Sequence, residues 1–221
     1  MLTLVPTPVG NLEDITLRAL RILREADVIA AEDTRHAGIL LKHHGISRPL
    51  VSLHEHNEAT RAKEIAGRLA AGEKIALLTD AGTPGISDPG YRVVRECLDH
   101  GLEFTVLPGP SSILPALVGS GLPLHEFYFG GFLPVKSGRR RAVLESALQR
   151  TETSVFFESP HRIARSLAVL AELSPERRVC VARELSKKFE EYWRGTAAEL
   201  SERAAAQPPR GEICLLVAGQ D

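Results

Sequence analysis

Short apolar runs alternate with amphipathic segments along the first half of the chain. Val28-Ile-Ala-Ala31, Leu50-Val-Ser-Leu53 and Lys74-Ile-Ala-Leu-Leu78 are four- or five-residue runs bounded by turn residues, the pattern of buried strands. Leu17, Leu20 and Leu23 recur every third residue with Arg18, Arg21 and Arg24 on the other side, which predicts an amphipathic helix. A further helix closes at Gly45, and Asn57 is placed to cap one that ends near Gly72. With the runs after Leu2 and at Glu103-Phe-Thr-Val-Leu107, this alternation predicts an α/β layer on a mostly parallel sheet. Gly119-Ser-Gly-Leu-Pro123 punctuates the pattern. Beyond it come the aromatic run Phe127–Pro134, a helix from Gly138 and a strand at 154–157. A helix near Pro160, strands at 179–182 and 191–193, a helix up to Pro208-Pro209 and a last strand at 212–217 follow. The expectation is two α/β domains, 1–120 and 125–221.

Three predicted strands empty into loops rich in Gly, Pro, Ser and Asp: Pro6–Asn11, Thr79–Gly90 and Pro108-Gly-Pro-Ser-Ser112. The middle one, Thr-Asp-Ala-Gly-Thr-Pro-Gly-Ile-Ser-Asp-Pro-Gly, makes a rigid loop whose backbone can approach a ligand closely. One such loop reads equally well as a surface turn. Three at the carboxyl ends of strands predict a small-molecule crevice, the usual ligand position in an open parallel sheet. Ser111 and Ser112 are placed to cap the segment that starts at Ile113. No loop fits G-x-G-x-x-G or the P-loop, so neither a dinucleotide fingerprint nor a nucleotide P-loop is present.

A formal charge of −1 excludes a generally basic nucleic-acid binder but not a local basic patch. Residues 1–120 hold 12 Lys and Arg against 15 Asp and Glu, and residues 121–221 hold 15 against 13, so the halves carry −3 and +2. In the second half Lys136, Arg139, Arg140 and Arg141 cluster, as do Arg183, Lys187 and Lys188. Such runs are solvated faces or phosphate contacts. Cys97, Cys180 and Cys214 are far apart and never C-x-x-C, the usage of a reduced, cytoplasmic protein. No run approaches the roughly 20 apolar residues of a membrane span, and no signal-peptide pattern opens the chain. His54 and His56 would share a face if extended, but no partner spacing completes a metal site.

Asp80-Ala-Gly-Thr-Pro84 with Ser87-Asp-Pro-Gly90, ahead of Pro108-Gly-Pro-Ser-Ser112, resembles the central signature of the tetrapyrrole-methylase superfamily. Val5–Leu12, Ala31-Glu-Asp-Thr-Arg35, His54-Glu-His-Asn57, Phe156–Arg162, Ala182-Arg-Glu-Leu185 and Arg210-Gly-Glu212 resemble one of its families, the ribosomal RNA small subunit methyltransferases I. The first loop departs from the superfamily's glycine-rich pattern: Pro6 and Pro8 stiffen it and remove two N–H groups.

The resemblance implies two α/β domains of the tetrapyrrole-methylase type with S-adenosylmethionine in the cleft between them and no metal. It also implies 2′-O-methylation of a cytidine in the decoding region of 16S rRNA, and a homodimer. It places the cofactor near Val9, Asp80, Thr83, Ser112 and Ile113, with Phe157, Ala182 and Glu212 from the second domain. Glu158, Glu184, His54 and Asp33 are the candidates for a proton acceptor. For each of them taken singly, the first reading is a helix cap or an ion-pair partner of Arg162, Arg183 or Arg35. Arg162 joins the two basic clusters as a candidate rRNA contact, on free rRNA or the small ribosomal subunit. A tetrapyrrole or protein-side-chain methylase, and a non-catalytic nucleotide-binding module, are the alternatives. The aromatic run 127–132 fits a dimer seam or core packing.

Overall fold

Apolar residues at alternate positions of the first five runs face opposite sides of one parallel sheet. The strands are β1 (Leu2–Leu4), β2 (Val28–Ala31), β3 (Leu50–Ser52), β4 (Ile75–Leu78) and β5 (Phe104–Val106), in the order β3-β2-β4-β1-β5. Between them run α1 (Leu17–Glu25), α2 (Thr34–His43), α3 (Glu58–Ala70) and α4 (Tyr91–Asp99). Ile29, Ala31, Ala76 and Leu78 pack with α1 and α2 through Ala19, Leu23, Ala37 and Leu40. Their neighbours Val28, Ala30, Ile75 and Leu77 pack with α3 and α4 through Ala62, Ile65, Val93 and Cys97. This two-sided burial is why the strands read as continuous apolar runs. From β1 the chain crosses to β2, and from β4 it crosses the other way to β5, although β1 and β4 are neighbours. Such a reversal opens a crevice beyond the carboxyl ends of the two strands.

The computed structural model describes residues 1–220 and divides into two compact units between Ser111 and Ser112. The second unit opens with α5 (Ile113–Ser120), then β6 (Phe127–Phe132), α6 (Ser137–Leu148), β7 (Thr153–Glu158), α7 (Ile163–Leu173), β8 (Arg178–Arg183), β9 (Glu191–Thr196), α8 (Ala197–Ala206) and β10 (Ile213–Val217). Its sheet, β6-β7-β10-β8-β9, is parallel only at β6–β7. Leu144, Ile163, Leu167, Leu170, Leu200 and Ala204 from α6, α7 and α8 cover one face. Ala116 and Leu117 of α5 cover the other, against Val155, Cys180, Ala182, Cys214 and Leu216.

Four expectations change. The boundary lies near 111, not 120, because α5 buries its apolar side on the second sheet. Ser112 starts α5 in helical conformation with no side-chain cap bond. Asn57 stands at the start of α3 but accepts from the His54 N–H at 2.9 Å instead of capping. The aromatic run is an edge strand: Phe129 packs against the core, but Phe127 and Phe132 are exposed at 45% and 61%, so core packing accounts for only part of it.

Candidate functional site

In the first unit the loops after β1 and β4 are tied to each other. Thr7 and Gly82 exchange two backbone hydrogen bonds of 2.9 Å, and the Thr7 hydroxyl donates to the Thr79 carbonyl at 3.0 Å. Residues 2–8 are buried, which the two prolines permit, since neither brings an N–H that needs a partner. The loop after β5 closes on the same place: a Cβ at Gly109 would lie 2.8 Å from the Pro6 side chain, so only glycine fits. Gly90, with φ +140 and a built Cβ 3.2 Å from the Gly85 nitrogen, likewise admits no other residue without strain. Thr83 faces this junction, its hydroxyl 3.5 Å from the Pro110 carbonyl oxygen, and Val9 packs beside Gly82.

Because β2 is next to β4, the residues that follow them meet. Asp80 accepts from the Asp33 N–H at 3.3 Å and lies 3.8 Å from His36 Nδ1. Burial raises the Glu32 carboxyl, and the nearby Asp80 charge raises it further. Burial and then the charge of Glu32 push Asp88 up to about 6, against the Thr79 hydroxyl, which opposes the shift. Glu32, Asp80 and Asp88 therefore form a crowded anionic constellation at the strand ends. A small cavity of about 50 Å³, bordered by Thr7, Pro8, Leu12, His36, Leu78 and Asp80, opens beside it.

A raised carboxyl has a stability consequence with a definite sign. The folded chain holds the Asp88 proton more tightly than the unfolded chain, whose ordinary value is 3.8. The cost of charging it is absent below about pH 4 and fully present above about pH 6. Stability should therefore rise as the pH falls from 7 to 5. Asp88→Asn should be more stable than the parent at pH 7 and should lose that part of the pH dependence. Urea midpoints at several pH values check this, and parallel curves for parent and variant would refute it.

The proton-acceptor candidates fare differently. Asp33 is a helix cap and ion-pair partner: it accepts from the Arg35 N–H at 2.8 Å and binds the Arg35 guanidinium at 2.7 Å, which holds its carboxyl below the usual range. Glu158 is fully buried and saturated by Arg162 at 2.7 Å, the Ser159 N–H at 2.7 Å and the Ser166 hydroxyl at 2.6 Å. Glu184 accepts from Lys187 at 2.9 Å and from the Glu212 N–H at 3.0 Å; burial would raise its carboxyl, but these donors hold it low. These three carboxylates take the cap and ion-pair roles that the sequence also allowed them. His54 begins a turn rather than extended chain, so it and His56 do not share a strand face. Its Nδ1 is buried with no hydrogen-bond partner, and Glu32 lies near its ring. Among the described residues no group of three or more His, Cys, Asp or Glu could hold a metal.

In the second unit Ile113, Phe157 and Ala182 lie in or against the cluster under α5. Burial pushes the Cys214 thiol up to about 12, with the Ser112 hydroxyl beside it opposing. Phe157 also stacks edge-on with Phe129 at 5.0 Å between centroids. Glu212 is exposed and pairs with Lys187 at 3.1 Å. The basic clusters come apart. Arg140 is buried and donates to the Val135 carbonyl at 3.1 Å, and Arg141 pairs with Glu172 and Glu145 at 2.9 and 3.0 Å. Arg183 pairs with Glu191 at 3.1 Å, Lys187 with two glutamates, and Arg162 with Glu158. Only Lys136, Arg139 and Lys188 remain exposed cations of those proposed for RNA.

Comparison with known proteins agrees with this architecture. A family model described as Tetrapyrrole (Corrin/Porphyrin) Methylases matches residues 1–201. The chain is 49% identical over 98% of its length to the ribosomal RNA small subunit methyltransferase I of Mesorhizobium japonicum, covering 74% of that protein. It is 44% identical to the Thermotoga maritima protein of the same name, over 100% of this chain and 99% of that one. The chain belongs to the ribosomal RNA small subunit methyltransferase I family, within the tetrapyrrole methylases. Two solved structures share the fold of this methyltransferase family: the methyltransferase CobJ, at TM-score 0.73 and 20% identity, covering 98% of this chain and 93% of that one, and uroporphyrin-III-C-methyltransferase from Thermus thermophilus, at 0.68 and 23%, with the same coverage.

Within this family chain, Glu32, Asp88, Thr79 and His36 were missed by sequence reasoning as site residues. Glu32 and Asp88 lie inside motifs quoted for the resemblance, Ala31–Arg35 and Ser87–Gly90. What gathers them is the adjacency of β2 and β4, which no local pattern shows.

Proposed function

We propose that this chain transfers the methyl group of S-adenosylmethionine to the ribose 2′-hydroxyl of a cytidine in the decoding region of 16S rRNA. The similarity to small subunit rRNA methyltransferases I across nearly the whole chain carries the reading. The anionic strand-end constellation supports the choice of donor. S-adenosylmethionine bears a sulfonium and an ammonium, and a cation among Glu32, Asp80 and Asp88 would offset the burial, and then the mutual repulsion, that raise two of them. Asp80, Thr83 and Val9 are the first-unit residues that would hold it. Ser112, Ile113, Phe157, Ala182 and Glu212 are proposed on the resemblance.

When bound, S-adenosylmethionine supplies a reactive methyl group. What the protein adds is position. The β1 and β4 loops, zipped by Thr7 and Gly82 and braced at Gly109, form a rigid seat that loses little freedom on binding. With Asp33, Glu158 and Glu184 committed to structure, alignment of the acceptor oxygen carries the rate more than a strong carboxylate base does. We further propose a homodimer acting in the cytoplasm. Among the described residues no helix is long and apolar enough to cross a membrane.

The experiment is transfer of labelled methyl to small ribosomal subunits whose target cytidine carries either a ribose or a 2′-deoxyribose. Label should enter the first and be lost from the second. Transfer that persists without the hydroxyl would move the acceptor to a base or to another molecule.

A further inference from the structure

The first unit carries a second concave feature, between the first turns of α3 and α4. It is an open groove of about 580 Å³ whose walls include Thr60, Lys63, Tyr91, Arg92, Arg95 and Glu96. Tyr91 exposes 69% of its surface, although a tyrosine with an apolar neighbour on hand normally lies against it. The Lys63 side chain has no hydrogen-bond or ion-pair partner among the described residues, and Arg92 reaches Glu58 only at 3.8 Å with 62% of its side chain exposed. Arg95 pairs with Asp99 at 2.7 Å, an exposed pair on one helix that a competing anion can replace at little cost. A unit with a net negative charge thus presents cations and a bare aromatic ring together in one groove.

Its place in the chain links the groove to the strand-end loops. The loop 79–90 runs directly into α4, so Tyr91 is the first helical residue after Gly90. The junction is pinned by the buried Glu58 carboxylate, which accepts from the Gly90 and Arg92 N–H groups at 2.8 and 3.1 Å. The ring and the Arg92 side chain are therefore held at a fixed position relative to the loop that carries Asp80 and Asp88.

We infer that this groove binds a single-stranded segment of the RNA substrate, with a base stacked on Tyr91 and phosphates held by Lys63 and Arg92. The chemistry is that of single-strand recognition, an aromatic platform beside cations that follow the backbone. The inference rests on the proposed rRNA function and gives part of the RNA grip to the first unit, although the basic clusters of the sequence lie in the second.

The test uses the full chain and a fluorescent single-stranded oligoribonucleotide, read by anisotropy across salt concentrations, beside methyl transfer to small subunits. Lys63→Ala/Arg92→Ala should weaken binding and lower the slope of log affinity against log salt by about 1.4, since each single-strand phosphate contact contributes about 0.7. Tyr91→Ala should weaken binding about five- to hundredfold, the range for loss of one stacked base, and Tyr91→Trp should restore it. Thermal melts and S-adenosylmethionine affinity should stay at the parent values, which separates lost recognition from misfolding. Unaltered RNA affinity and salt slope in these variants would overturn the inference. So would variants that change only the mass of the particle in solution, which would make the groove a contact between copies. If the parent methylates subunits and the variants do so with the same KM, the groove fails and the proposed function stands. If the parent transfers nothing to rRNA yet binds the oligonucleotide through Tyr91 and Lys63, the function fails and the groove stands.

Discussion

Asp80→Ala should lower the affinity for S-adenosylmethionine by about ten- to a hundredfold while leaving a folded protein. The range corresponds to about 1.5–3 kcal/mol for a hydrogen bond to a charged group. Asp80 is the constellation's least encumbered carboxylate: it is 41% exposed at the side chain, and its close protein contact is one backbone N–H at 3.3 Å. Losing that bond costs the fold little, because a partly exposed N–H can turn to water. Asp80→Asn should retain more affinity than Asp80→Ala, since the amide still accepts a hydrogen bond but carries no charge. Titration calorimetry at matched ionic strength measures both. Equal affinity for parent and alanine variant would place the cofactor elsewhere.

The largest effect on stability should come from Arg162→Ala. Its guanidinium is the charged partner of a Glu158 carboxylate with no exposed side-chain surface, and it also donates to the Leu133 carbonyl at 3.3 Å. Removing one member of a buried pair leaves an uncompensated charge, at about 3–5 kcal/mol. Ser166 and the Ser159 N–H still serve Glu158, so the lower end of that range is expected. For a chain of this size each kcal/mol lowers the melting point by about 2–4 °C. Trp193, the single tryptophan, is buried in the second unit's main core and reports on this unit in particular. Its fluorescence should show a clearly earlier urea midpoint for Arg162→Ala. Glu158→Gln/Arg162→Met, which removes both charges, should recover much of the loss. A single variant as stable as the parent would mean that the pair contributes nothing net.

The pairing of Glu158 and the proposal for Asp80 share a physical reason. Asp80 comes just after β4 and Glu158 is the last residue of β7, and both lie in motifs that resemble the family's. Glu158 precedes a helix whose first turn brings Arg162 and Ser166 back onto it, so its charge is consumed locally. Asp80 precedes a glycine- and proline-rich loop that supplies no side-chain cation, and its side chain stays 41% exposed with only His36 at 3.8 Å.

Local sequence was enough for the strands, the helices and the three strand-end loops, because buried parallel strands and amphipathic helices write their periodicity into a few consecutive residues. The motifs from Asp80 to Gly90 and from Pro108 to Ser112 were enough for the superfamily, and those such as Ala31–Arg35 and Phe156–Arg162 for the family. Tertiary structure alone decided which polar residues are free. Arg140 and Arg141 look alike in sequence, yet one is buried against backbone carbonyls and the other is paired across helices. Nor could spacing show that Glu32 and Asp88 meet, because 56 residues separate them and only the order β3-β2-β4-β1-β5 brings their strands together. Periodicity reports the face a residue takes within its own element. Charge compensation depends on which elements are neighbours, and that is fixed only when the sheet order is.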